Sequence, residues 1–234
     1  MAPRPSLVLF ARAPILGAVK TRLSPPLTPR QVLTLYTAFL KDAAGAYGSS
    51  SRWVPVLAAE PDAEDPALAR LFAQPWRRQA QAPGDLGRKL VAAFALEFAR
   101  GAPAVLAVGA DHPALPGARI EEAFDAVANG SDAAIVPAED GGYCAIALSR
   151  RVDPEQAFQA VPWSTVRTLA ATVSNLTAAD HAVASLAPSY DVDRPEDLER
   201  LRRDLAERDT AEADFPAATA RALEALSEGD EGRS

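Results

Sequence analysis

The sequence predicts an α/β chain whose mainly parallel central sheet carries helices on both faces. Two observations lead there. Short, nearly continuous apolar runs with β-branched residues recur along the chain, and segments with apolar residues spaced at three and four lie between them. A strand buried on both faces needs apolar residues throughout, whereas a crossover helix needs one apolar stripe, so their alternation implies parallel pairing.

In chain order, residues 6–11 (SLVLFA) read as the first strand and residues 28–44 (TPRQVLTLYTAFLKDAA) as the first helix. A strand at 53–59 (WVPVLAA), a helix at 85–100 (DLGRKLVAAFALEFAR), a strand at 104–110 (AVLAVGA), a helix at 117–130 and a strand at 133–138 (AAIVPA) follow. Paired glycines at 141–142 read as a hairpin into a further strand, GYCAIAL. Residues 1–206 are expected to form one domain, since single α/β domains commonly exceed 200 residues. Residues 207–234 alternate acids with alanines, and a surface helix with a frayed end is expected there.

Composition narrows the function classes. With 24 Lys+Arg against 31 Asp+Glu among 234 residues, a net charge of -7 and scattered basic residues, a nucleic-acid-binding face is not expected, although a single nucleotide needs only a local basic spot. Cys144 is the one cysteine, so no internal disulfide forms, and without a Cys/His cluster any bound metal would be held mainly by oxygens. The apolar run from Leu7 to Phe10 is too short for a signal-peptide core or a membrane span, so a cytoplasmic protein with no membrane partner is expected.

Ligands of parallel α/β sheets sit beyond the carboxyl ends of the strands. Polar residues follow three of the expected strands, and the topology brings them to one sheet edge. After the first comes Arg12-Ala-Pro-Ile-Leu-Gly17-Ala-Val-Lys20-Thr-Arg22, three cations and a glycine. Polyphosphate binding needs such a turn with several positive charges. The loop is neither a Walker A nor a GxGxxG motif, and a basic surface loop is the plain alternative.

Asp111 leaves the strand at 104–110 ahead of Pro113, a place suited to a divalent cation that also touches phosphate, or to a helix cap or Asx-turn. His112 reads as a turn residue. Glu139-Asp140-Gly141-Gly142-Tyr143 sets two acids before an open glycine wall, fit for an acceptor hydroxyl or for an indirect part in holding a metal. Asp191 and Asp193 share one side of an extended segment, with Asp193 the better candidate for a helix cap and Asp191 for a metal. Gly84-Asp85 and Trp163-Ser164-Thr165 open helices, where an anion is welcome; Ser164 or Thr165 also serves as a cap. A Ser/His/Asp hydrolase is disfavoured, because no GxSxG elbow exists and only His112 and His181 are present.

Six ordered blocks, LFARAPxxGxxKTRL, QxxGDLG, GxDxP, PAxDGGY, WST and DVDxPEDL, resemble the bacterial DUF2064 family, a relative of the nucleotide-diphospho-sugar transferases that include MobA-like and phospholactate-guanylyltransferase-like enzymes. The resemblance spans about residues 6 to 202. It implies a GT-A, Rossmann-like fold that binds a nucleotide with Mg²⁺ or Mn²⁺ and transfers part of it to a small acceptor. On that likeness Arg12, Gly17, Lys20 and Arg22, with Gly84 and Asp85, face the nucleotide phosphates. Asp111 and Asp191 or Asp193 hold the metal. Asp140, Gly141, Gly142, Tyr143, Trp163, Ser164 and Thr165 face the acceptor, and Lys20, Asp111 and Asp140 take the catalytic parts.

Glycosyltransferases of this fold carry a DxD motif where this chain reads Asp111-His112-Pro113. The basic loop after the first strand suits a triphosphate, whose departing pyrophosphate is highly charged. Nucleotidyl transfer from an NTP is therefore the favoured expectation, ahead of glycosyl transfer from a nucleotide-diphospho-sugar and of a catalytically silent nucleotide-binding protein.

Overall fold

In the computed structural model, which describes residues 3–231, seven strands form one sheet. They are β1 (Ser6–Arg12), β2 (Val54–Glu60), β3 (Arg77–Ala80), β4 (Ala104–Gly109), β5 (Ala133–Pro137), β6 (Tyr143–Ser149) and β7 (Val183–Ser185). The order is β3-β2-β1-β4-β6-β5-β7, and only β6 runs antiparallel to its neighbours. The helices are α1 (Pro29–Gly48), α2 (Pro66–Leu71), α3 (Leu86–Ala99), α4 (Gly117–Ala128), α5 (Pro154–Ala157), α6 (Thr168–Ala178), α7 (Pro195–Glu207) and α8 (Ala217–Glu231). Among the described residues no helix is long and apolar enough to cross a membrane.

Alternation along each strand divides the core into two layers. Leu7 and Leu9 of β1, with Leu57 and Leu106, pack against Leu35 and Phe39 of α1, Ile120 and Phe124 of α4 and Leu201 of α7. Val8, Val56, Val105 and Ile146 face the other way, onto Leu90 and Phe94 of α3, Phe158 at the end of α5 and Leu176 of α6. Burial on both faces explains why the central strands carry almost no polar residue.

Thr28 and Gln31 make a reciprocal capping box ahead of Pro29, which sets the start of α1. Asp85 caps α3 by accepting from the Arg88 N–H at 2.9 Å. Glu97, on the inner face of α3, is fully buried: its Oε2 accepts from Ser6 Oγ at 2.6 Å and from Arg77, and its Oε1 from Arg100 Nη1 at 2.6 Å. One carboxylate thereby ties α3 to β1 and β3.

Two local expectations are corrected. Asp193 does not cap α7; Asp197 reaches back to the backbone N–H groups of Asp193 and Arg194, which frees the Asp193 carboxylate for Lys20 and Arg22. Neither Ser164 nor Thr165 caps α6, which begins at Thr168 after Arg167. Thr165 Oγ1 instead closes a turn by donating to Pro162 O at 2.8 Å and accepting from Arg167 N at 3.2 Å. In the segment after 207, α8 packs along α1, buries Leu223 and has its N-terminal Ala218 and Thr219 N–H groups capped by Asp42. The expected frayed end, residues 232–234, lies outside the described residues.

Candidate functional site

A cleft of about 560 Å³ opens along the carboxyl edge of β1, β2 and β4 and the amino end of β6. Its floor is set by Lys20. The buried side chains of Val19 and Leu23 anchor the loop on either side. Lys20 itself takes a left-handed conformation (φ 44°), a strained choice for a residue with a Cβ, and its side chain turns inward until only 8% is exposed. Its Nζ lies 3.2 Å from Asp111 Oδ2 and 3.4 Å from Asp193 Oδ1. Arg22 Nη1 reaches Asp193 Oδ2 at 2.6 Å, and this hydrogen bond raises the arginine's own proton affinity further.

Asp111 and the 191–193 stretch are held together by the backbone, since Val192 N donates to Asp111 O at 2.9 Å. Burial pushes the Asp111 carboxyl upward, but the Lys20 and His112 charges outweigh it and hold the group well below the usual carboxylate range. His112 Nδ1 lies 3.2 Å from Tyr190 O, which can only accept, so Nδ1 is a donor there, and Nε2 lies 3.4 Å from Asp111 Oδ1. Asp191 is pushed the opposite way, first by burial and then by the Asp111 charge. Lys20 thus neutralises two carboxylates from one side and leaves Asp191 as the member short of positive charge.

Asp111 and Asp191 are the pair that could hold a divalent cation. Among the described residues no group of three or more His, Cys, Asp or Glu closes a protein cage, so water and substrate oxygens would complete the shell around Asp111 and Asp191. Mg²⁺ prefers that arrangement, one or two carboxylates plus phosphates and waters.

The wall toward β5 and β6 is made of Asp140, Gly142, Tyr143, Trp163, Ser164 and Thr165, the residues expected from the sequence to face an acceptor. Glu139 is pinned outward by two contacts to Arg200, at 2.6 and 2.7 Å, which hold its carboxyl low; the guanidinium in turn lies 3.8 Å over the Tyr190 ring. Asp140 therefore is the acid that lines the cleft, with Oδ1 accepting from Gly142 N at 2.9 Å. Tyr143 packs edge-on to Trp163 at 6.4 Å, and its hydroxyl is buried without a hydrogen-bond partner. Gly87 lets the indole of Trp163 lie directly on α3. Ser164, in the left-handed region at φ 59°, and Thr165 complete this side, although the Thr165 hydroxyl is already used by its turn.

Gly141 has φ 89° and sits against the Val166 backbone, so a Cβ there would collide with main chain that cannot move aside. Gly141→Ala is expected to cost about 3 kcal/mol through left-handed strain plus overpacking. Urea unfolding measures it, and a cost below about 1 kcal/mol would show that the hairpin relaxes freely.

The structure thus brings Arg12, Lys20, Asp111, Asp140, Gly142, Tyr143, Trp163, Ser164, Thr165, Asp191 and Asp193 to one cleft, with Arg22 at its edge through Asp193. Gly17 (φ 75°) shapes the basic loop without forming a wall, and Gly141 lies behind its own. Gly84 and Asp85 do not meet the cleft. The Asp85 carboxylate occupies the α3 N-terminus that a phosphate would need, and like charges repel.

Sequence reasoning missed Tyr36, Glu60 and Gln81 and left Lys89 without a role, and all four line the cleft. Tyr36 holds the Arg12 backbone on both sides, accepting from its N–H at 2.9 Å and donating to its carbonyl at 3.1 Å. Gln81 carried a signal as the first residue of the QxxGDLG block, whereas Glu60 and Tyr36 carried none.

Residues 43–165, just over half of the chain, match the family described as "Uncharacterized protein conserved in bacteria (DUF2064)". No curated protein matches. The chain is similar, at 25% identity and a TM-score of 0.86, to the crystal structure of a candidate nucleotide-diphospho-sugar transferase from Desulfovibrio desulfuricans G20, with 97% of this chain and 96% of that one covered. It shares its fold with 4-diphosphocytidyl-2C-methyl-D-erythritol synthase from Anaerococcus prevotii DSM 20548 (10% identity, TM-score 0.59, 88% and 97% covered). It shares it also with the manganese complex of Rv0371C from Mycobacterium tuberculosis H37Rv (19% identity, TM-score 0.51, 86% and 98% covered). The chain has the α/β fold of the nucleotide-diphospho-sugar transferases, and it belongs to the DUF2064 family.

Proposed function

We propose that the protein is a metal-dependent transferase that uses a nucleotide donor, with nucleotidyl transfer from an NTP to a small phosphate-, carboxylate- or hydroxyl-bearing acceptor as the reaction. The observation that carries this reading is Lys20, an inward ammonium 3.2 Å from Asp111 and 3.4 Å from Asp193 with Asp191 alongside. A polyphosphate brings enough negative charge to draw Lys20, Arg12 and Arg22, and the aspartates then need a replacement cation. Fold relatives support it: one is a diphosphocytidyl synthase, and one was crystallised with manganese.

Mg²⁺ or Mn²⁺ at Asp111 and Asp191 would withdraw charge from the phosphate under attack. Lys20 and Arg12 orient the triphosphate, and Arg22 meets charge that builds on the departing pyrophosphate. Asp140 faces the acceptor and takes the proton of its hydroxyl, or orients it where the acceptor is already an anion. Trp163 and Tyr143 keep water from that end. Positioning and charge neutralisation do the work, and no covalent intermediate is needed.

A nucleotide-diphospho-sugar donor is the second reading, favoured by the Desulfovibrio structure. Calorimetry with Mg²⁺ separates the two: tighter binding of an NTP than of any NDP-sugar, with pyrophosphate released on adding acceptor, is expected. Tighter NDP-sugar binding would transfer the proposal to glycosyl transfer, and binding without product under any acceptor would leave a silent nucleotide-binding protein.

A further inference from the structure

At the β2–β3 end of the cleft, away from the aspartates, stands a second polar group. Arg12 of β1 is in register with Glu60 of β2, and Gln81 follows the Ala59–Ala80 pair by one residue, its N–H donating to Ala59 O at 2.9 Å. In-register neighbours project to the same face of a sheet, here the face covered by α3, from which Lys89 Nζ reaches Glu60 Oε2 at 2.6 Å. Sequence alone could not assemble this row, because its members lie on β1, on β2 and just past the end of β3.

The row has a fixed donor and acceptor pattern. Gln81 Nε2 donates to Ala11 O at 3.1 Å and to Ala58 O at 2.9 Å. Both carbonyls can only accept, so a flipped amide would set oxygen against oxygen, and the orientation is locked. With both amide hydrogens used, Gln81 Oε1 is left as an acceptor that no donor reaches among the described residues, on a residue that lines the cleft. Lys89 and Arg12 both approach Glu60 through Oε2, at 2.6 and 3.8 Å, which leaves Oε1 as a second acceptor. Two acceptors therefore stand beside a cationic donor.

We infer that this corner reads the base of the nucleotide and that its pattern selects guanine. The inference rests on the nucleotide-donor reading of the cleft. Guanine presents two adjacent donors, N1–H and the exocyclic amine, next to the O6 acceptor, the chemical complement of two acceptors, Gln81 Oε1 and Glu60 Oε1, beside the Lys89 ammonium. Adenine and cytosine offer one amine beside a ring nitrogen that only accepts, so one acceptor of the corner would face a lone pair. Uracil offers one N–H between two carbonyls. A site built around hydrogen bonds rejects a ligand that leaves them unmade by about tenfold or more.

The test titrates the full chain calorimetrically with GTP, ITP, ATP, CTP and UTP, each with Mg²⁺ and without acceptor. GTP is expected to bind at least about tenfold tighter than ATP, CTP and UTP, and ITP, which lacks only the exocyclic amine, about tenfold weaker than GTP. In Glu60→Ala, with its fold checked by circular dichroism, the GTP-to-ATP affinity ratio is expected to fall about tenfold. Another base binding tightest, five affinities within threefold, or an unchanged ratio in Glu60→Ala overturns the guanine assignment and leaves the transferase proposal standing. Binding of none of the five overturns both.

Discussion

Replacing Lys20 with methionine is expected to lower kcat/KM for nucleotide transfer by about 10²–10³-fold, the size of effect seen when one preorganised charge-stabilising donor is removed. The side chain is 8% exposed and aligned by the buried neighbours Val19 and Leu23, so a water molecule cannot restore its geometry at no cost. Methionine keeps the length and the apolar stem, which separates loss of charge from loss of packing. Arg22 still pairs with Asp193 in the variant, and the loop keeps one of its ties. Steady-state kinetics with saturating Mg²⁺ measures the effect. A change under threefold would show that Lys20 serves only to pair with Asp111 and Asp193.

Glu97→Ala is expected to destabilise the fold by about 3 kcal/mol, with no part in the chemistry. The carboxylate is fully buried and accepts from Ser6, Arg77 and Arg100. Its loss leaves the Ser6 hydroxyl, 2% exposed, without its partner, and Arg77 Nε already lacks one. The two arginines are 39% and 41% exposed and can recover hydration, which keeps the cost at the lower end for a broken buried pair. Urea unfolding with an unchanged slope measures it, and a cost under about 1 kcal/mol would mean that β1, β3 and α3 hold together without this group.

Both residues show what a sequence can carry. Lys20, Asp111 and Asp191 were legible because motif blocks at strand ends of a parallel sheet converge on one edge. The four apolar strands β1, β2, β4 and β5 were legible because burial on both faces removes polar residues. Strand β3 was not: it is an edge strand of sequence RRQA, whose Arg77 pairs with Glu97. The role of Asp193 was misassigned because the pattern Asp-Arg-Pro-Glu resembles a cap, while Asp197, one turn into α7, does the capping from within the helix. The Arg12–Glu60–Gln81 row depends on strand register, and register is set by pairing across the sheet, which no local pattern records.

The most direct test of the account is a crystal of the protein grown with Mn²⁺ and a nucleoside triphosphate, examined by anomalous scattering at the manganese edge. The account predicts one manganese peak bound by Asp111 and Asp191 and shared with the phosphates, with Lys20 drawn off the carboxylates onto the phosphate oxygens. A nucleotide bound at a different surface, or manganese away from both aspartates while the nucleotide fills the cleft, would contradict it.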